Sequence, residues 1–173
     1  VYKGKTIFVG DTSVHEYPTS EQMAEIAIST ARVVRLFGFE PKVAFVSHST
    51  FGQPLTSRTK HIRNAVDLLK KKKVDFEFDG DMQPDVALNS EYEELYPFSK
   101  IVGKANILIM PGQHSAAISY KMMKTLGDTK VIGPLLIGIG LPIEIAPLRS
   151  STSDLINLAS IAAYSADIID YKK

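Results

Sequence analysis

Short apolar segments alternate with longer segments of helical periodicity along the chain, and this alternation restricts the possible folds. Apolar runs bounded by turn residues predict strands at residues 6–9, 43–46, 74–78 and 107–110. Further runs predict one or two buried strands within residues 131–139 and another at 143–146. Strands separated by helices are typical of parallel sheets with helices on both faces. The sequence therefore predicts a single α/β domain with three layers, α/β/α, and a mostly parallel sheet.

The predicted helices have recognisable ends and apolar faces. Thr19 and Gln22 have the spacing of a capping box, and Gly38 marks the end of the same helix. A second helix ends in residues 70–73, a short turn and a short helix follow at 84–88 and 91–95, and longer helices cover 113–126 and 151–168. The side chains expected to face the core in the four long helices are, in order, Met23, Ile26, Ala27, Thr30, Val34 and Phe37; Ile62, Ala65, Val66 and Leu69; Ile118, Met122 and Leu126; and Leu155, Leu158, Ala159 and Ala162.

Composition excludes several classes of function. The 173 residues carry a net charge of +1, which argues against a nucleic-acid-binding protein. The chain has no cysteine, so it has no disulfide, thiolate metal site or cysteine nucleophile, and its four histidines lack metal-ligand spacing. The most apolar segment, residues 131–148, is interrupted by glycines, prolines and Glu144. We therefore expect no membrane span and no secretory signal, and we predict a cytoplasmic location.

The loop after the strand at residues 43–46 is the first candidate for a binding site. It contains three hydroxyl groups, an imidazole, a glycine and a downstream guanidinium, provided by Ser47, Ser49, Thr50, His48, Gly52 and Arg58. Ligands of open α/β sheets lie at the carboxyl ends of strands, and these groups suit a phosphate or another anion. The alternative is a serine-rich turn that caps the next helix, and the residues alone leave both interpretations open.

Other strand-end loops contain turn residues that could join the same site. They lie at residues 10–12, 79–80, 111–115 and 148–151. The lysines at 70–73 are interpreted as a solvated helix end rather than an anion site. The sequence has no G-x-G-x-x-G, no G-x-x-x-x-G-K-[ST] and no G-x-S-x-G, so it lacks the signatures of dinucleotide-binding proteins, P-loop proteins and α/β-hydrolases.

Several segments in order resemble phosphate acetyl/butyryl transferases. Residues 11–27 resemble the family run D-x-x-V-x-x-x-P-T-x-E-Q-L-A-E-I-A, and the similarity continues at 37–44, 47–52, 78–80, 85–88, 105–109, 132–136 and 154–158. The resemblance implies the two-lobed, three-layer architecture of phosphate acetyltransferases, which is like that of isocitrate and isopropylmalate dehydrogenases. It also implies that residues 1–173 form the carboxyl-terminal half of such a domain, with residues from about 140 to 173 returning to the other lobe.

The resemblance further implies acyl transfer between coenzyme A and phosphate, in a cleft where cations and hydroxyls stabilise an oxyanion. Active members carry a Ser-Arg pair just before the last helix, and those positions hold Pro147 and Leu148 here. Arg149 lies one position too late, whereas the family's aspartate is present as Asp154. Asp154 also has the spacing of a helix cap with Ser151, and we favour that structural role.

Two more departures affect the expected site. The family's D-L-N-T-G-N segment is G-Q-H-S-A-A at residues 112–117, and a basic residue near the end of the next helix is Thr125, with Lys124 beside it. Asp154 and Arg149 remain as catalytic candidates, which we interpret as vestigial. No metal site is expected, and the candidates for ligand binding are Ser47, His48, Ser49, Thr50, Gly52, Arg58, Lys124, Ser150 and Ser151.

These departures resemble the transferase-like domain fused to large NADP-dependent malic enzymes, in which H-E-x-P-T and S-H-S patterns like those at 15–19 and 47–49 occur. A chain that starts with Val1 suggests a piece of such a longer protein. The resemblance implies a parent that converts malate to pyruvate and carbon dioxide, with NADP and a divalent metal (Mg or Mn) in its other domains. It implies a catalytically silent domain that binds acetyl-CoA, or a related acyl-CoA or phosphate. The domain is expected to contact the rest of the parent chain and to contribute to a homo-oligomer of that parent. Two alternatives stay open: an active phosphate acyltransferase, and a purely structural oligomerisation module.

Overall fold

The computed structural model describes residues 1, 4–11, 13–127 and 129–168. These residues include a parallel sheet and the helices that pack against it. The sheet has four strands: β1 (Phe8–Gly10), β2 (Lys42–Val46), β3 (Glu77–Met82) and β4 (Ile107–Ile109). They lie in the order β1-β4-β2-β3, and each pair of neighbours is parallel. This confirms the predicted α/β fold with a mostly parallel sheet.

The helices described are α1 (Ser20–Leu36), α2 (Ser57–Lys72), α3 (Pro84–Leu88), α4 (Gln113–Leu126) and α5 (Thr152–Ile168), with one 3-10 turn at Ser90–Glu93. The predicted ends of α1 are confirmed. The Gln22 amide donates to Thr19 Oγ1 at 3.2 Å, and the Thr19 amide donates to Gln22 Oε1 at 2.8 Å. Gly38 follows with a φ of +81°, which glycine adopts without strain. Within the described residues, no helix combines the length and the apolar character that crossing a membrane requires.

The sheet buries apolar side chains on both faces because successive residues of a strand point to opposite sides. Val43 and Phe45 pack in a cluster with α1 and α2, whereas Ala44 and Val46 pack in a second cluster with Ala87 of α3. The apolar faces predicted for α1 and α2 are largely confirmed, since the buried residues include Met23, Ala27, Thr30, Val34, Ile62, Ala65, Val66 and Leu69. Ile26 and Phe37 are half-buried.

The predicted strand at residues 74–78 with a polar turn after it is wrong in its bounds. β3 begins at Glu77 and continues through Asp79, Gly80 and Asp81, and these last three residues are buried. The strand tolerates two carboxylates because both accept hydrogen bonds: the Lys100 amide donates to Asp79 Oδ2 at 2.8 Å, and the loop after β2 donates to Asp81. Gly80 is required by contact, since a Cβ there would lie 2.7 Å from the carbonyl oxygen of Phe45.

The strands predicted within residues 131–139 and at 143–146 do not form in the described part of the chain. Three glycines in this segment, Gly133, Gly138 and Gly140, have positive φ angles, and Pro134 and Pro142 have no amide to donate. A regular hydrogen-bond ladder cannot continue through such a sequence. The apolar runs are real, but their backbone is not that of a strand.

Several side chains predicted to face the core are exposed instead. Ile118, Met122 and Leu126 of α4 are 57%, 53% and 81% exposed, and Leu155 of α5 is 49% exposed. Ala159 is also exposed and Ala162 is half-buried, whereas Leu158 is buried as predicted. Periodicity identifies a face that can be covered, and the described residues cover little of the apolar face of α4 and α5.

Candidate functional site

Loops after the four strands lie at one edge of the sheet because all four strands are parallel. The loops after β1 and β4 touch: the Gln113 amide donates to the Glu16 carbonyl at 3.2 Å. The loop after β2 contacts the end of β3, where the Ser47 amide donates to the Met82 carbonyl at 2.9 Å. Residues 148–151 follow no described strand, and Thr12 lies outside the described residues.

The loop after β2 binds a carboxylate of its own chain. Ser49 Oγ donates to Asp81 Oδ2, and the Gly52 amide donates to Asp81 Oδ1 at 3.1 Å. Ser49 and Asp81 are both fully buried. The carboxylate therefore occupies the position that the sequence suggests for an external anion. Sequence reasoning missed Asp81, although an acidic residue in an otherwise strand-like segment was a signal for it.

The other polar groups of this loop divide into internal and external ones. The Gln83 amide donates to Thr50 Oγ1 at 3.2 Å, and Gln83 Nε2 donates to the His48 carbonyl at 3.1 Å. The imidazole of His48 is exposed, and the hydroxyl of Ser47 is half-buried, 3.3 Å from Ser49 Oγ. Ser49, Thr50 and Gly52 thus hold the loop, while His48 and Ser47 are the groups a ligand can reach.

Arg58 lies in the first turn of α2, which is capped by Thr56 and Thr59. Its side chain is exposed and forms no ion pair with any described residue. The guanidinium that does contact the loop belongs to Arg63, which donates to the Phe51 carbonyl at 3.2 Å. Arg58 is therefore a free cation near the loop, whereas Arg63 is a structural one.

A second group of candidates surrounds the start of α5. The Asp154 amide donates to Ser151 Oγ at 3.2 Å, and Asp154 Oδ2 accepts from the Ser151 amide at 3.0 Å and from its hydroxyl at 2.8 Å. The favoured cap is confirmed by this geometry. The Ser151 amide and hydroxyl, with smaller contributions from Lys124 and Lys130, hold the pKa of the Asp154 carboxyl below its usual range.

The residues just before α5 leave a cation exposed. Ser150 Oγ donates to the Pro147 carbonyl at 2.7 Å, so its hydroxyl proton is engaged within the turn. Leu148 is fully exposed, and Arg149 is exposed without an ion pair to any described residue. Lys124 and Lys130 lie close enough to Asp154 to affect its pKa. The two lysines therefore lie near the start of α5, and Arg149 precedes that helix by three residues along the chain.

The two groups of candidates belong to different elements of the fold, the loop after β2 and the start of α5. The main chain of Lys130 pairs with Val1, which precedes β1, whereas the first group follows the carboxyl end of β2. No hydrogen bond or ion pair found in residues 4–11, 13–127 and 129–168 joins them. The described residues also contain no cluster of three or more His, Asp or Glu side chains that could hold a metal ion.

Comparisons with known proteins identify the family. The family described as phosphate acetyl/butaryl transferase matches residues 1–163. The chain is 49% identical over 164 residues to an NADP-dependent malic enzyme of Rhizobium meliloti, covering 95% of this chain and 22% of that protein. It is 36% identical over 162 residues to a phosphate acetyltransferase of Clostridium acetobutylicum, covering 92% of this chain and 49% of that enzyme.

Solved structures agree with the sequence comparison. The EutD phosphotransacetylase from Staphylococcus aureus superposes with a TM-score of 0.88 at 30% identity, covering 96% of this chain and 52% of that one. The chain thus spans about half the length of the phosphotransacetylases it matches, and about a fifth of the malic enzyme. The resemblance predicted from the motifs is confirmed, and the chain belongs to the phosphate acetyl/butyryl transferase family.

Proposed function

We propose that this chain is a phosphotransacetylase-like domain of an NADP-dependent malic enzyme, and that it binds acyl-CoA without transferring the acyl group. Its identity to the malic enzyme is higher than its identity to the phosphate acetyltransferase, over a similar number of residues. The parent would convert malate to pyruvate and carbon dioxide, with NADP and a divalent metal held by other domains, in the cytoplasm.

The observation that carries the proposal of silence is the state of the expected catalytic positions. Pro147 and Leu148 occupy the places of the Ser-Arg pair, and neither side chain can donate a hydrogen bond to a developing oxyanion. Asp154, one of the two remaining candidates with Arg149, has one carboxylate oxygen bound to the amide and hydroxyl of Ser151. A carboxylate with a lowered pKa is also a weaker base than an ordinary one.

Ligand binding is supported by exposed cations that form no ion pair with a described residue. Lys124, Lys130 and Arg149 are exposed, the two lysines act on Asp154 in the first turn of α5, and Ser150 and Ser151 separate Arg149 from that helix along the chain. Phosphate groups of a coenzyme A derivative suit such a surface because cations and hydroxyls both donate to phosphate oxygens. Ser47, His48 and Arg58 provide a second, separate set of reachable donors, which could hold another part of an extended ligand.

The exposed apolar residues support a larger assembly. Large apolar side chains exposed by a third or more are concentrated between residues 118 and 164, and they include Ile118, Leu126, Leu141, Leu148 and Ile156. An apolar surface of this kind marks an interaction site. We propose that the remaining half of the phosphotransacetylase-like unit covers it, with residues from about 140 onward returning to the other lobe, and that the parent forms homo-oligomers.

An active acyltransferase is the second candidate, and one observation favours it. Arg149 is exposed and has no ion pair with a described residue, so its guanidinium is free to bind phosphate. In that case Arg149 and Ser150 would replace the family pair, and Asp154 would leave its cap during the reaction. The chemistry would be transfer of an acyl group between coenzyme A and phosphate.

Calorimetry with acetyl-CoA tests the proposal, on this chain and on any longer product of its gene. We expect binding that weakens about ten-fold when Lys124 and Arg149 are both replaced by glutamine, because an exposed cation contributes up to about 1 kcal/mol to an ion pair. Lys60→Gln, an exposed lysine of α2, is the matched control. Formation of acetyl phosphate that Arg149→Ala abolishes would establish the active transferase instead. Absence of binding up to about 1 mM acetyl-CoA would leave a structural module.

A further inference from the structure

Gln83, the residue directly after β3, uses its side chain to bind the loop after β2. It occupies the N-cap position of α3, but its side chain makes no cap hydrogen bond. Pro84, the first residue of that helix, has no amide that a cap could satisfy. The half-buried side chain of Gln83 instead reaches the other loop, where its Nε2 donates to the His48 carbonyl at 3.1 Å. Gln83 therefore connects the start of α3 to the loop after β2.

The backbone of His48 depends on this bond more than its neighbours do. Ser47 and Ser49 are both attached to β3, through a main-chain amide and a side-chain hydroxyl respectively. In the part of the chain that the structure describes, the hydrogen bond found for the His48 backbone is the one from Gln83 Nε2. The amide of Gln83 also donates to Thr50 Oγ1 at 3.2 Å. One residue thus contacts the loop at two positions.

The imidazole of His48 is a group that a ligand can reach, because the residue is exposed. An imidazole carries at least one N–H whether it is neutral or charged, so it can donate to a phosphate oxygen in either form. The ring is attached to the backbone that Gln83 contacts. A displacement of that backbone would therefore move the ring.

We propose that Gln83 is a positioning residue of the acyl-CoA site. It fixes the backbone of His48 so that the imidazole donates to a phosphate oxygen of the ligand. The inference rests on the proposed binding of acyl-CoA, and it assigns one part of the ligand, a phosphate group, to the loop after β2. Without the bond from Gln83 the loop would still be attached to Asp81 of β3 through Ser49. The loss is therefore expected in ligand affinity while the chain stays folded.

Gln83→Met tests this role in calorimetry with acetyl-CoA. Methionine is similar in length and uncharged but has no N–H, so the variant removes the hydrogen bond to His48. We expect acetyl-CoA to bind about five-fold more weakly, which corresponds to the loss of one neutral hydrogen bond. Gln53→Met is the matched control because Gln53 is exposed in the same loop, and it should bind like the unaltered chain. Equal affinities of Gln83→Met and this control would overturn the inference and leave the proposed function standing.

A double variant shows whether Gln83 acts through His48. His48→Ala removes the imidazole, so a residue that only positions this ring has no further effect in its absence. Gln83→Met combined with His48→Ala should therefore bind acetyl-CoA about as weakly as His48→Ala alone. A further loss of about five-fold in the double variant would indicate a general effect on the loop and would contradict the inference. If Gln83→Met folds poorly, His48→Ala alone decides, because unchanged affinity in it would mean that the ligand does not contact the ring.

Inorganic pyrophosphate tests which part of the ligand the loop binds. It has phosphate groups but none of the rest of acetyl-CoA, so its affinity should fall in Gln83→Met and in His48→Ala as that of acetyl-CoA does. Pyrophosphate binding that is the same in both variants and in the unaltered chain would overturn the assignment of a phosphate group to this loop. Absence of acetyl-CoA binding by the unaltered chain would instead overturn the proposed function, and the inference with it.

Discussion

Replacing Asp81 with alanine tests whether this buried carboxylate holds the loop after β2. Asp81 is fully buried and forms no ion pair with a described residue, so its partners are the loop donors Ser49 Oγ and the Gly52 amide. Alanine would leave the buried hydroxyl of Ser49 without an acceptor. The Gly52 amide is half-buried, so water can replace part of its lost bond.

The expected destabilisation follows from these two donors. A hydrogen bond to a charged acceptor contributes about 1.5–3 kcal/mol, and a buried donor left unpaired costs about 1–3 kcal/mol. Removing the charge recovers part of the cost of burying it. We therefore expect Asp81→Ala to lower the free energy of unfolding by about 2–3 kcal/mol. Ser49→Ala should cost about 1.5–3 kcal/mol, because the buried carboxylate of Asp81 loses one of its two donors and keeps only the Gly52 amide.

Urea denaturation of the single variants and the double variant measures the coupling. Once Asp81 is gone, removing Ser49 also removes the stranded hydroxyl, so the double variant should be about as stable as Asp81→Ala alone. Asp85→Ala, a nearby exposed carboxylate in the first turn of α3, is the control and should cost no more than about 1 kcal/mol. Strict additivity of Asp81→Ala and Ser49→Ala, or a loss no larger than that of Asp85→Ala, would refute the assigned role of Asp81.

Three further changes have directional outcomes. Ser151→Ala removes the cap of α5 and should lower the free energy of unfolding by about 1 kcal/mol, as measured by thermal unfolding. Ser151 also holds the pKa of Asp154 below the unfolded value of 3.8, so Asp154 contributes stability above that value, and this stability is lost as the pH falls through the folded pKa. The contribution of Asp154 should therefore shrink in Ser151→Ala. Burial raises the pKa of Glu144, so the protonated carboxyl is favoured in the folded state. The stability that Glu144 contributes is therefore present below the unfolded value of 4.5 and is lost as the pH rises through the folded pKa. Glu144→Gln should therefore stabilise the protein at pH 7, by less than about 0.5 kcal/mol since the group is partly solvated, and urea midpoints across pH would detect a change of the wrong sign. Pro147→Ser with Leu148→Arg restores the family pair and should raise acetyl phosphate formation above the background of the unaltered protein, whereas unchanged turnover in a double variant that still binds acetyl-CoA would contradict the silent-site explanation.

Local signals explain why α1 and α2 could be predicted. Thr19 and Gln22 are three residues apart and bond to each other, so the start of α1 depends on a contact that the sequence contains. The apolar faces of both helices are covered by strands of the same chain, and periodicity therefore predicted burial correctly. Asp81 was different because its partners lie 29 and 32 residues away, and no local rule connects them.

The carboxyl-terminal region could not be predicted from periodicity for a related reason. The pattern in α4 correctly located a helix, but burial of Ile118 and Leu126 needs a covering surface that the described residues do not provide. Between the last two helices, Gly133 and Pro134 prevent a strand even though the surrounding residues are apolar. An apolar segment predicts that its side chains will be covered. Only the fold determines which surface covers them and which backbone conformation the segment adopts.

The expected catalytic site differs from that of active family members in two ways: Asp154 is held in a helix cap, and Pro147 and Leu148 replace the Ser-Arg pair. The expected effect of each change on the rate indicates which one matters more. If Asp154 had to leave Ser151 to act as a base, Ser151 Oγ would still accept from the Asp154 amide, so only the exposed carboxylate half of the cap would be lost, which is a small effect. Losing one oxyanion donor costs about 10²–10³-fold, and Pro147 and Leu148 remove a hydroxyl and a guanidinium together. If acyl transfer depends on that pair, as the family resemblance implies, the cap alone would leave a slow enzyme, whereas Pro147 and Leu148 would remove the interactions that the transfer needs. The proposed silence therefore rests on residues 147 and 148, and the hydrogen bonds of Asp154 with Ser151 give Asp154 a structural role at the start of α5.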